Sequence, residues 1–195
     1  MKRAFVYSAA ALLIISACEP IKKGNESAEQ DSLKTPKSDS TAKAPEDKTK
    51  RESPPKQASF LLDGVSVSMN WGSPKVKGRV IWGELVPFDE VWRTGANEAT
   101  TITFDQNAVV NGKDIPSGTY ALFTILGKKE WTFIFNTRPE QWGSYEYEAE
   151  KDQLRITSKP EKNDMYESLE FEAENGKVYM KWEKMKVGFS VSKGK

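Results

Sequence analysis

Two Asn-Gly dipeptides constrain what this chain can fold into more than any other feature. Asn111-Gly112 falls between Val109-Val110 and Ile115, and Asn175-Gly176 falls between the Leu169/Phe171/Ala173 run and the Val178/Met180/Trp182 run. Asn-Gly accepts the positive φ angles of a tight turn whose twist matches the flanking strands, so each dipeptide predicts a β-hairpin. A third hairpin pairs residues 119–126 with 131–136 across Gly127-Lys128-Lys129-Glu130. Val65, Val67, Met69 and Trp71 alternate with Ser66, Ser68 and Asn70, and Ile102 and Phe104 alternate with Thr101 and Thr103, as in half-buried strands. Residues 154–156 and 187–191 add further strands. Many short strands with frequent turn signals predict an all-β fold. The expectation is a single antiparallel β-sandwich, jelly-roll-like or barrel-like, over residues 59–195. Helix is limited to one or two short turns, near 84–91 and 144–151.

The N-terminal third has a different character. A basic start (Lys2, Arg3) and an apolar run over residues 4–15 lead into Ile15-Ser16-Ala17-Cys18. The run is too short to cross a hydrocarbon core of about 30 Å, and the small residues that follow suit a signal peptidase. These residues resemble the lipobox of bacterial lipoproteins. The resemblance implies that the Cys18 thiol receives a diacylglycerol, that residues 1–17 are removed, and that the new N-terminus is acylated. Several acyl chains, at about 0.8 kcal/mol per buried methylene, make such an attachment effectively permanent. From Glu19 to Ala58 the chain is rich in Lys, Glu, Asp, Ser, Thr and Pro, with Ile21 and Leu33 its only large apolar residues. Such a segment buries too little surface to offset its ordering entropy, so residues 18–58 are expected to form a disordered tether. The expected location is the bacterial cell envelope, on the outer membrane, with the membrane as partner through the lipid on Cys18 and the periplasmic or surface face left open.

Absences bound the chemistry. There is no histidine, and Cys18 is the single cysteine. Histidine-dependent triads, His or Cys zinc sites, thiol redox chemistry and disulfides are thereby excluded from the domain. Lys and Asp/Glu are interspersed, and the formal net charge of the chain is +1, so no nucleic-acid partner is expected. Clustered oxygens in an Asp-x-Asp-x-Asp pattern do not occur, and no metal or cofactor is expected.

One segment departs from ordinary strand and turn. Residues 91–100, Val-Trp-Arg-Thr-Gly-Ala-Asn-Glu-Ala-Thr, set Arg93, Asn97 and Glu98 around Gly95 just before the strand at 101–104. Read as a ligand loop, Arg93 offers a planar fork for a carboxylate or phosphate, and Asn97 and Glu98 offer directional groups for hydroxyls. Read as structure, Arg93 and Glu98 pair with each other and tie the loop to the sandwich edge. The motif Lys77-Gly78-Arg79-Val80-Ile81-Trp82-Gly83-Glu84-Leu85-Val86-Pro87-Phe88, followed by residues 91–100, resembles the signature of a bacterial family, domain of unknown function 2911. Asn111-Gly112-Lys113, Pro116-Ser117-Gly118-Thr119-Tyr120, Trp131-Thr132 with Phe135-Asn136, and Trp142-Gly143 fit the same pattern in order, over about residues 54–192. The resemblance implies a secreted domain and carries no catalytic residues with it.

All six tryptophans lie in this region. Trp71, Trp131 and Trp182 follow the strand alternation and should point inward. Trp82, Trp92 and Trp142 neighbour glycines or the polar loop and are the better candidates for a groove, where an indole can stack on a sugar ring. Three functions remain open. The preferred one is a lipid-anchored binding module whose groove, lined by Arg79, Trp92, Arg93, Asn97, Glu98 and Trp142, holds an envelope glycan, peptide or small anionic ligand. A structural lipoprotein docking another envelope protein is the alternative. A carboxylate-dependent hydrolase would need Glu98 facing Glu84, Asp89 or Glu90 across a cleft, and a Ser-Lys pair from Ser73 with Lys75 or Lys77 is the weaker enzymatic option.

Overall fold

The computed structural model describes residues 46–194; Cys18, the expected export signal and most of the expected tether lie outside the described residues. The fold is the expected all-β sandwich of two antiparallel sheets. Its strands are β1 (Pro55–Leu62), β2 (Val65–Gly72), β3 (Val91–Trp92), β4 (Thr100–Phe104), β5 (Ala108–Val110), β6 (Lys113–Ile115), β7 (Gly118–Leu126), β8 (Trp131–Asn136), β9 (Asp152–Ser158), β10 (Glu161–Glu174) and β11 (Lys177–Lys193). The larger sheet runs β1-β2-β4-β7-β8-β9, with β3 also on β7, and the smaller runs β10-β11-β5-β6. Helix among the described residues is confined to two 3-10 turns, Lys48–Lys50 and Ala149–Lys151. The stretch near 84–91, where a helical turn was allowed, instead forms bridges from Trp82 to Val86 and from Phe88 to Leu126 before entering β3.

Both Asn-Gly hairpins close as the dipeptides require: φ is 45° and 79° at Asn111 and Gly112, and 51° and 75° at Asn175 and Gly176. Asp63-Gly64 does the same between β1 and β2, at 48° and 79°. The first strand therefore begins at Pro55, ahead of the boundary expected at Ser59. Proline is tolerated there because it is the first residue of an edge strand, where no ladder N–H is lost.

Alternation places one face of each sheet in a shared core. Met69, Ile102, Leu122, Phe133 and Phe135 of the larger sheet meet Leu169, Phe171, Val178, Met180 and Phe189 of the smaller. Phe189 stands edge-on to Phe133 and Phe135 at 5.1 and 5.5 Å, and Trp71 meets Phe171 at 5.1 Å. Each such side chain contributes about 1.5–3 kcal/mol by leaving water. Long β11 turns its inward set from even to odd numbers, from Val178, Met180 and Trp182 to Val187, Phe189 and Val191. Glu183, at φ 53°, sits at the change, and the pairing with β10 shifts register in the same region. An extra residue in one strand is what reverses side-chain parity without breaking the ladder.

The larger sheet has a second apolar layer on its outer face. Ala121, Phe123 and Ile134 are fully buried there with Ala99, flanked by Val91, Ile125 and Tyr147. The segment 137–151 covers them. Tyr147 packs edge-on against Phe123 at 5.0 Å, and its hydroxyl donates to Asp152 Oδ2 at 2.6 Å while accepting from Arg155 at 2.7 Å.

Candidate functional site

Along one edge of β7, β3 and β4 lie end to end. Trp92 pairs with Thr124 and Thr100 with Leu122, so the chain leaves the sheet at Arg93 and rejoins it at Thr100. The neck is closed by the Thr100 amide, which donates to Arg93 O at 3.2 Å. Below it, Thr100 Oγ1 donates to Thr94 O at 2.9 Å, and the Thr94 and Thr124 hydroxyls meet at 2.9 Å. Thr94 is wholly buried at φ 55°, an unfavourable conformation for a β-branched residue that these bonds hold in place. Asn97, at φ 65°, turns the tip.

The excursion docks on its neighbours through its backbone. Ala96 N–H donates to Gly72 O at 3.1 Å, and the approach is so close that a Cβ on Gly72 would lie 2.1 Å from Ala96 O. On the other side, Ala99 N–H donates to Gln141 O and Gly143 N–H donates to Asn97 O, at 2.9 and 3.0 Å. The Asn97 amide reaches Ser53 O at 2.9 Å. Residues 53–55 and 96–98 thus form a wall with a cleft on each side.

The larger cleft, of about 750 Å³, lies on the outer face of the larger sheet. Its floor carries Gln57, Asn70 and Thr101, and its sides carry Glu98, Glu140, Trp142 and Glu146. Trp142 is 53% exposed. It is positioned from behind by the Arg51 guanidinium, 5.5 Å from the ring centre, which also binds Glu98 Oε2 at 2.8 Å. Lys48 binds the other Glu98 oxygen at 2.8 Å. Partial burial pushes the Glu98 carboxyl up, but hydrogen bonds from Lys48, its own backbone and Arg51 outweigh that and hold it below the ordinary carboxylate range.

The smaller cleft, of about 290 Å³, is lined by Lys75, Lys77, Arg79, Trp92, Arg93, Asn97 and Trp182, with Glu52 at its rim. Arg79 is fixed by donating to the carbonyls of Val76 and Lys75. Trp92 stacks on Trp182 at 6.0 Å and donates its indole N–H to Gly95 O at 3.1 Å.

The single groove expected from sequence is therefore divided. Glu98 and Trp142 face the larger cleft, whereas Arg79, Trp92 and Asn97 line the smaller; Arg93 borders the smaller cleft too, but its guanidinium reaches Gly143, where an added Cβ would lie 3.7 Å from Nη1. The pairing of Arg93 with Glu98 is corrected: Glu98 takes Lys48 and Arg51, from the stretch expected to be tether, and the Arg93 guanidinium has no hydrogen bond or ion pair among the described residues. Trp82 is not a groove residue, since it packs at 4.7 Å from Trp131 and 5.6 Å from Trp182. Glu84, Asp89 and Glu90 do not line the cleft of Glu98; Glu140 and Glu146 do. Lys48, Arg51, Gln57 and Asn70 had no sequence signal as site residues, because their place depends on β1 joining the sheet.

A family model described as Protein of unknown function (DUF2911) matches residues 53–191. No curated protein and no solved structure matches the chain.

Proposed function

This chain belongs to the DUF2911 family, and we propose that it is a lipid-anchored binding module of the bacterial cell envelope whose larger cleft holds a glycan. The observation that carries the reading is the half-exposed Trp142 standing beside a floor of amide and hydroxyl groups, Gln57, Asn70 and Thr101. A pyranose presents C–H groups on one face and hydroxyls around its rim. An indole offers an apolar surface to the first, and amides, hydroxyls and carboxylates serve the second. Arg51 holds the indole in place before any ligand arrives, which lowers the ordering cost of binding. The concave, mixed polar and apolar lining favours this reading over docking of a flat protein face. Retention of charge on Glu98 weighs against hydrolysis through it as general acid, which requires a carboxyl that keeps its proton.

Attachment to the outer membrane through Cys18 is part of the same proposal and rests on the sequence at residues 2–18. A glycan array probed with the full chain, followed by tryptophan-fluorescence titration of each hit, tests the binding. Trp142→Ala is expected to weaken a hit about tenfold with the unfolding midpoint unchanged. An array without hits, or hits indifferent to Trp142, would overturn the reading.

A further inference from the structure

The larger cleft has more acceptors than its own donors satisfy. Its charged lining residues are Lys48, Lys56, Glu98, Glu140 and Glu146. Both ammonium groups are engaged, Lys48 with Glu98 at 2.8 Å and Lys56 with Glu170. Glu146 is taken by Arg138 at 3.2 Å. Glu140 is exposed and has no hydrogen bond or ion pair among the described residues. One carboxylate of the lining is therefore left over.

Beside it in the chain, Gln141 lines the same cleft and is only 5% exposed. Its Oε1 is buried and unpartnered. The surrounding network decides which end of this amide is the oxygen. Gln141 Nε2 donates to Asn136 Oδ1 at 3.4 Å and to the Arg138 carbonyl. The Asn136 amide is itself locked, because its Nδ2 donates to Glu148 O and Asp152 Oδ1, both at 2.9 Å, while its Oδ1 accepts from Arg138 N–H at 3.0 Å. Turning the Gln141 amide over would set its oxygen against two other acceptors. Oε1 therefore stays where it is, and a buried acceptor without a donor is costly to keep. Consecutive residues thus give the cleft a recessed neutral acceptor and an exposed carboxylate, both lacking a donor.

We propose that the larger cleft selects a glycan carrying a free amino group, whose ammonium pairs with Glu140 and donates to Gln141 Oε1. The inference rests on the glycan reading of that cleft and narrows it to amino sugars. An ammonium is compact, has three donors and has no acceptor, so it fits a recess that lacks donors. An acetamido group is bulkier, has a single N–H, and brings a carbonyl that neither Glu140 nor Oε1 can serve.

The test is a calorimetric titration of the full chain, at about pH 6 and physiological salt, with two probes: the β-1,4-linked tetramers of glucosamine and of N-acetylglucosamine. Wild type should bind the amino tetramer about tenfold more tightly than the acetylated one. Glu140→Gln and Gln141→Leu should each reduce that preference to about threefold or less, while Trp142→Ala weakens both tetramers alike. If Gln141→Leu does not fold, Glu140→Gln, a change at an exposed position, decides alone. Equal or tighter binding of the acetylated tetramer, or a preference unaltered in the variants that fold, would overturn the inference and leave the glycan reading standing. Tetralysine binding as tightly as the amino tetramer would overturn it too, since charge alone would then account for the binding. If neither tetramer binds, the inference falls; Trp142-dependent hits elsewhere on the glycan array would still uphold the broader reading, and an array without hits would end both.

Discussion

Glu98 and Arg93, five residues apart, carry opposite consequences for stability. Glu98 is held by two cations, but its side chain is 42% exposed and that of Lys48 is 56% exposed, so solvent screens the pairing. Glu98→Gln is expected to cost about 1 kcal/mol or less in urea unfolding. Because its folded value is depressed, its contribution is present above the ordinary carboxylate range and is lost as pH falls through that depressed value; the Gln variant should flatten stability across this window. Arg93 has no hydrogen-bond or ion-pair partner to lose among the described residues. Arg93→Met should leave the unfolding free energy unchanged or raise it by about 1 kcal/mol, and a fall of 3 kcal/mol would identify a structural role that the geometry does not contain. The reciprocal pairing suggested by the spacing of Arg93 and Glu98 failed for a definite reason. The excursion closes through backbone and threonine hydroxyls, and the partners of Glu98 come from residues 48 and 51, a separation that no local pattern encodes.

Among the elements, those with local turn chemistry were legible and those defined by distant packing were not. Asn111-Gly112 and Asn175-Gly176 announced their hairpins because the residues themselves supply positive φ. Asp63-Gly64 carries the same signal, yet β1 is hidden by its inward face, which starts with Lys56 and Ala58 rather than large apolar residues. The run Tyr120-Ala121-Leu122-Phe123 is apolar on both faces, and only the structure explains it, by placing segment 137–151 over the outer one. The excursion between β3 and β4 depends on contact with the end of β2. Gly72→Ala should therefore destabilise the domain by about 3 kcal/mol, because the added Cβ meets backbone that cannot yield without parting the excursion from the sheet. Thermal unfolding would show the loss, and faster amide exchange at Ala96 would locate it.

At the scale of the whole molecule, the sandwich carries both a covering segment and the larger cleft on one outer face. The cover over that face hangs on Tyr147, whose hydroxyl is pushed up to about 12 by burial and by the neighbouring Asp152 carboxylate. Its raised value means that the contribution is complete below the ordinary tyrosine range, near 10, and is lost as pH rises through about 12. Near-ultraviolet circular dichroism should follow that step, and Tyr147→Phe should remove it. The wall between the two clefts is built partly from residues 53–55, which lead directly into β1, and Lys48 and Arg51 just before them grip Glu98 and brace Trp142. Any mechanical tension applied through the preceding chain therefore reaches the rim of the larger cleft before it reaches the sandwich. A pull on that side would detach Lys48 and Arg51 from Glu98 and unbrace the indole while every strand was still paired, so the cleft rim would slacken under load before the domain unfolds.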